Sequence, residues 1–174
     1  MINPTPKKTK IKEFCIFYLN NYICNTKQLQ MFSKTCEYAI RAVLFITRES
    51  RDGRRIGVRE IAEGIGSPVH FIAKILQELS RKGIVQSLKG PTGGFYMDGN
   101  SLTHTLADVV VAIDGDKLLT GCALGLNECS EKHPCPLHFE FKHIRKDLHL
   151  LLSRTKLGEL QGELDMNSFY LGSK

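Results

Sequence analysis

Cys122, Cys129, Cys135 and His138 crowd into one short stretch, GCALGLNECSEKHPCPLH, residues 121–138. Their spacing is Cys-x6-Cys-x5-Cys-x2-His. Thiolates are soft ligands suited to iron-sulfur clusters and zinc, and imidazole serves both, with mixed Cys/His ligation raising a cluster's potential. Structural zinc favours ligand pairs two to four residues apart, a condition met here by Cys135 and His138 alone. The wider gaps suit a larger inorganic unit, so the spacing leans toward a cluster and leaves zinc open. A third reading is metal-free thiols that respond to oxidants. His133 lies in the same stretch, but Pro134 restricts its backbone.

The stretch has Gly, Asn and Pro and no periodicity, so it is expected to be a loop between helices. THTLADVVVAIDG, 103–115, predicts a helix before it, capped at Thr103 or Thr105 and closed by Gly115. FEFKHIRKDLHLLLSRT predicts a helix after it, with Phe141, Ile144, Leu148 and Leu151 spaced three, four and three apart. Such an a/d seam suits pairing with a second copy, so these four are expected to form a dimerisation helix; packing on its own domain is the bland alternative. His143 and His149 fall on the polar side of that helix, and His104 reads as a surface residue.

Upstream, MFSKTCEYAIRAVLFITRES predicts an amphipathic helix behind a Ser33 or Thr35 cap, with Cys36 a packed small hydrophobe. VREIAEGIG predicts a short helix closed by glycine. Ser67 is then expected to cap, and Pro68 to start, a longer helix, PVHFIAKILQELSRKG. In it Ile72, Ile75, Leu76 and Leu79 form the buried stripe, and His70, Lys74, Gln77 and Arg81 occupy the other face. The sequence GIVQSLKGPTGGFYM then alternates into a Gly-Pro turn and an aromatic strand, which predicts a hairpin. This order is that of a winged helix-turn-helix, so the fold expected is mostly α with a small β-hairpin wing.

The chain has 174 residues, a formal net charge of +6 and a pI near 9.0. Between Lys34 and Lys89 eleven Lys and Arg stand against six Asp and Glu, so most of the positive excess lies in the elements that would grip DNA. The major groove would meet Ser67, His70, Lys74, Gln77 and Arg81; phosphate or the minor groove would meet Lys89, Thr92, Gly93 and Gly94. The longest early apolar run, FCIFYL at 14–19, is too short for a membrane span, so a cytoplasmic protein with no membrane partner is expected. No phosphate-cradling loop or nucleophile motif stands at meaningful spacing, and no enzyme is expected. A redox carrier built on the cysteine loop is the rival from another class.

Within residues 1–30, MINPTPKKTK is polar and basic and the following FCIFYLNNYIC is aperiodic, with Cys15 and Cys24 lacking partners at ligand spacing; these thirty residues stand apart from the rest. They are expected to be a disordered extension or a mis-assigned start ahead of Met31. The expected layout is then a DNA-binding domain at 31–100, a linking helix and cysteine loop at 101–138, and a dimerisation helix and tail at 139–174.

MFSKTCEYAIRA, the helix-turn-helix ending ILQELSRKGIV, the wing KGPTGGF and the late three-cysteine loop together resemble the Rrf-type bacterial transcription regulators, the family of IscR and NsrR. The resemblance spans Met31 to about Leu164. It implies a homodimeric winged-helix protein that binds double-stranded promoter DNA under control of a labile cluster, often two-iron two-sulfur. It implies Cys122, Cys129 and Cys135 as ligands. The fourth would be His138, as in IscR-like members, or Glu37 from the partner's first helix, as in some nitric-oxide sensors. This chain departs from IscR-like members in a first cysteine gap of six rather than five. It has Lys89 where they commonly show Arg, and its recognition helix lacks their tyrosine and acidic base contact.

Overall fold

The computed structural model describes residues 31–122, 124–127 and 129–164. The readings made for residues 1–30, including Cys15 and Cys24, and for the tail beyond 164 lie outside the described residues. Elements are numbered from the first described residue.

Helix α1, Lys34–Glu49, begins where Ser33 Oγ accepts from Cys36 N at 3.1 Å, so Ser33 and not Thr35 is the cap. One face of it, Ala39, Ala42, Val43 and Ile46, is wholly buried. Against this face pack α2, Val58–Ile65, and α3, Val69–Arg81, through Ile61, Ile65, Ile72, Leu76 and Leu79. A left-handed Gly66 (φ 64°, ψ 48°) ends α2, and Ser67 N donates back to Ala62 O at 2.8 Å, the closure that turns the chain into α3. Ser67 does not cap α3 as the sequence predicts. Pro68 occupies that position in extended backbone, and Ser67 Oγ is buried without a partner. Proline has no side-chain acceptor, so α3 starts without a side-chain cap, and the Pro68 carbonyl accepts from Phe71 N and Ile72 N, both at 3.1 Å.

The wing is an antiparallel hairpin of β1, Gln86–Leu88, and β2, Gly94–Tyr96, with Ser87 opposite Phe95. It is fastened to the helices by main chain: Ile56 and Phe95 exchange both N–H···O bonds at 2.9 Å. Two close main-chain approaches, one within the hairpin and one to Ile56, explain the paired glycines. A Cβ on Gly93 would stand 2.2 Å from Leu88 O, and one on Gly94, at φ +156°, would stand 2.8 Å from Ile56 O. Ser50 Oγ, nearly buried, accepts from Met97 N at 3.2 Å and anchors the wing's exit.

Helix α4, Leu106–Asp114, opens on a capping box in which Thr105 Oγ1 accepts from Asp108 N and Asp108 Oδ2 accepts from Thr105 N. It faces two cores. Val109 belongs to the main one with Ile84, Val85 and Leu157, whereas Ala107 and Val110 join Cys36 and Leu152 in a second. A short α5, Lys117–Thr120, leads to the cysteine loop, after which α6, His138–Arg154, packs on α4 and α5. The region assigned to a tail contains a further helix, α7, Leu157–Leu164. It docks on α1, where Gln161 Nε2 donates to Thr47 O at 3.0 Å. The fold is a winged helix-turn-helix, mostly α with one two-stranded sheet.

Gly93→Ala is expected to cost about 1–3 kcal/mol by forcing a Cβ into a carbonyl. Gly99→Ala, with nothing within 4 Å of a Cβ, is expected to be close to neutral. Paired urea titrations check this, and equal midpoints would refute the close-approach account of the wing.

Candidate cofactor loop and nucleic-acid face

The loop's thiols and imidazole are positioned from both ends. Cys122 follows α5 after Gly121, and Gly125 N donates to Cys122 O at 3.0 Å. The backbone N–H groups of Leu126 and Leu124, aided by Cys135 and by the charge of Arg145, hold the Cys122 thiol below its usual range. These donors favour the thiolate, the form in which a cysteine ligates. His138 is the first residue of α6, its N–H donating to Cys135 O at 2.9 Å. Its ring is only 4% exposed. Nδ1 lies 3.4 Å from Cys129 Sγ, whereas Nε2 is buried with no partner.

The structure therefore brings the four donors together as two pairs, Cys129 with His138 and Cys122 with Cys135. Among the described residues no three Cys, His, Asp or Glu side chains converge on one point that could hold an ion. Two cavities meet at Cys129: one of about 310 Å³ that also touches His138, Lys142 and Arg145, and one of about 670 Å³ that touches Cys122, Gly125 and Asn127. Glu37 lies on α1, its carboxylate 2.8 Å from Lys34 Nζ. The donor chemistry fits an iron-sulfur group: three thiols, one of them favoured as thiolate, and an imidazole nitrogen lacking the partner that buried polar atoms normally have.

Arg145 was not singled out in the sequence, yet its Nη2 donates to Cys129 Sγ at 3.2 Å. The signal was present: Arg145 lies two helical turns after His138, on the same face. His149 borders the smaller cavity rather than standing apart from the site, and His143 is exposed. His104 contacts Asp108 at 3.5 Å.

In the winged domain, His70, Lys74, Gln77 and Arg81 are all exposed along α3, as the periodicity predicts, with Arg81 ion-paired to Glu78. Lys89 and Thr92 are exposed at the wing tip, and Gly93 and Gly94 are half-buried. Arg55, also missed, reaches Thr92 O at 3.4 Å and lies 6.0 Å from the Tyr96 ring, adding a cation to the wing. Its position beside Ile56, which pairs with Phe95, is what puts it there. Along α6, Ile144 (58%) and Leu151 (48%) face solvent, whereas Leu148 packs in the second core and Phe141 is half-buried.

Comparison with known proteins agrees with this architecture. The family described as "Rrf2: Iron-dependent Transcriptional regulator" matches residues 32–163. An HTH-type transcriptional regulator of Aquifex aeolicus (strain VF5) is 31% identical over 132 residues, covering 75% of this chain and 90% of that one. The HTH-type transcriptional regulator IscR of Yersinia pseudotuberculosis is 25% identical over 129 residues, covering 74% and 77%. Among solved structures, CymR, the global cysteine regulator of B. subtilis, superposes with a TM-score of 0.62 at 17% identity over 76% of this chain and 96% of its own. T. potens IscR gives 0.60 at 14% identity, covering 82% and 93%.

Two cysteines are expected to behave oppositely toward iodoacetamide. Burial, then the neighbouring Asp114, pushes the Cys36 thiol from its ordinary 9.0 up to about 12. At pH 8 it therefore remains a thiol and should resist alkylation in native, metal-free protein, while Cys122 reacts. A buried thiol whose folded value is raised contributes stability that is present below pH 9 and lost as pH climbs through about 12. Peptide mapping by mass spectrometry reads the first point, and native labelling of Cys36 as fast as Cys122 would contradict it.

Proposed function

Because this chain belongs to the Rrf2 family of transcriptional regulators, we propose that it is a homodimeric DNA-binding protein. Its promoter affinity is set by an iron-sulfur group, two-iron two-sulfur in form, bound by Cys122, Cys129, Cys135 and His138. The carrying observation is His138, 96% buried by a 4% exposure, with Nε2 unpartnered and Nδ1 beside Cys129. A polar nitrogen buried at that cost calls for a partner. Glu37 of the partner's first helix, ion-paired at the surface with Lys34, is the alternative fourth ligand. When bound, the group supplies an electron-accepting centre open to attack by oxidants and nitric oxide.

The chain's own residues do the rest. The N–H groups of Leu126 and Leu124 and the guanidinium of Arg145 steady the sulfurs. The exposed face of α3, with His70, Lys74, Gln77 and Arg81, enters the major groove, with the exposed Val69 at its leading end and the main chain of Ser67, whose Oγ is buried, beside it. Lys89, Arg55 and the Thr92-Gly93-Gly94 backbone meet phosphate or the minor groove. Phe141, Ile144, Leu148 and Leu151 of α6 contribute to the dimer, with the exposed Ile144 and Leu151 at its centre. Two copies then present two α3 helices to two half-sites.

A second reading, a metal-free thiol sensor or a zinc-stabilised regulator, is favoured by the arrangement of the donors as two pairs. Anaerobic purification of the full chain with iron, sulfide and zinc assays, beside Cys129→Ala, separates the three. Iron with sulfide, lost in the variant, supports the cluster. About one zinc per chain or no metal at all would sink it.

Lys89→Ala is expected to weaken binding evenly across duplex sequences and to reduce the slope of log K against log salt by about 1. An unchanged slope in fluorescence-anisotropy titrations would remove Lys89 from the phosphate contacts.

A further inference from the structure

Helix α6 presents three residues in one row, two turns apart: His138, Arg145 and Leu152. Leu152 is buried in the second core and His138 is buried beneath the cysteine loop, each 4% exposed. The row is thus pinned at both ends, and the residue between them is held against the loop. Arg145 uses that position to send Nη2 to Cys129 Sγ at 3.2 Å, on the same sulfur that His138 Nδ1 approaches at 3.4 Å. Its charge also reaches Cys122. Nearby Lys142 is neutralised by Glu131, but among the described residues no carboxylate pairs with Arg145. An arginine facing sulfur rather than a carboxylate is an unusual use of its five donors.

We propose that Arg145 is a positioning residue of the cysteine loop, its guanidinium holding Cys129 Sγ beside His138 and offsetting the negative charge that thiolate ligands bring to a bound iron-sulfur group. The first half stands on the geometry of the chain itself; the second rests on the cluster reading above. Outer-shell donors to ligands commonly govern metal retention, and hydrogen bonds to the sulfurs together with net charge set a cluster's potential. Reduction places one further negative charge on the site, so a fixed cation there stabilises the reduced form more than the oxidised one.

Full-length wild type, Arg145→Gln and Arg145→Lys are compared after anaerobic reconstitution. In a potentiometric titration with dithionite, one electron passes from the reductant to the iron-sulfur group. The Gln variant, which keeps a donor and loses the charge, is expected to show a midpoint at lower potential, with Lys in between. Iron release to a chelator is expected to be several-fold faster in Gln. Equal midpoints and equal release rates in all three overturn the proposal. Should the wild type take up no iron, the cluster reading fails by itself, and the positioning role is decided in metal-free protein by NMR. Changes from wild type to Gln in the Cys129 Cβ and His138 ring resonances sustain it, and unchanged resonances overturn it.

Discussion

One carboxylate joins the end of α4 to the start of α1. Asp114, the last residue of α4, accepts from Ser33 N at 2.9 Å and from Ser33 Oγ at 2.5 Å, while Ser33 Oγ caps α1 through Cys36 N. The end of the helix that leads into the cysteine loop is thereby tied to the start of the helix on which the DNA-binding half is built. An anion placed at the N-terminus of α1 also gains from that helix's partial positive charge. The Cys36 thiol is sealed beneath this junction, and it is Asp114, after burial, that keeps its proton on.

The consequence is that α4 cannot shift without dragging on both cores. Its Val109 is packed with the isoleucines and leucines of the winged domain, and its Val110 and Ala107 with Leu152 of the helix that carries His138. Close-packed interfaces of this kind prefer discrete arrangements to gradual deformation. Cys122 stands eight residues beyond Asp114, with only the short α5 between them. Helix α4 also contacts α3, whose outer face is the proposed reader of DNA.

Local chemistry made much of this legible. The 3.6-residue apolar stripe gave α1 and α3 their inward faces, a glycine marked the turn between α2 and α3, and Gly-Pro with paired glycines marked the wing. Each of these signals is carried by residues adjacent in sequence. What the sequence hid depends on pairs distant in it. Asp114 and Ser33 are 81 residues apart, and Gln161 and Thr47 are 114 apart, so α7 and the α1 to α4 tie come from packing alone. Ser67 misled for a related reason: its type and position fit a cap, but Pro68 occupies the cap position of α3. In the cysteine loop the spacing brought the right residue types forward, whereas the pairing of Cys129 with His138 needed the register of α6 against the loop.

That register also explains how α6 can serve two masters. The row through His138, Arg145 and Leu152 faces the protein's own interior, while Ile144 and Leu151, about a quarter-turn around the helix, stay in water. Leu148 lies between, packed in the second core. On the proposed dimer, a second copy covers Ile144 and Leu151 without disturbing the inner row, because the two faces are adjacent and do not overlap. One rigid helix then carries the candidate ligand His138 and its companion Arg145 on one side and the dimer contact on the other. On that proposal, a roll of α6 would change how the copies meet, and with it the separation of the two α3 helices. The apolar residues left exposed and the imidazole left unpartnered are in this sense two sides of a single requirement.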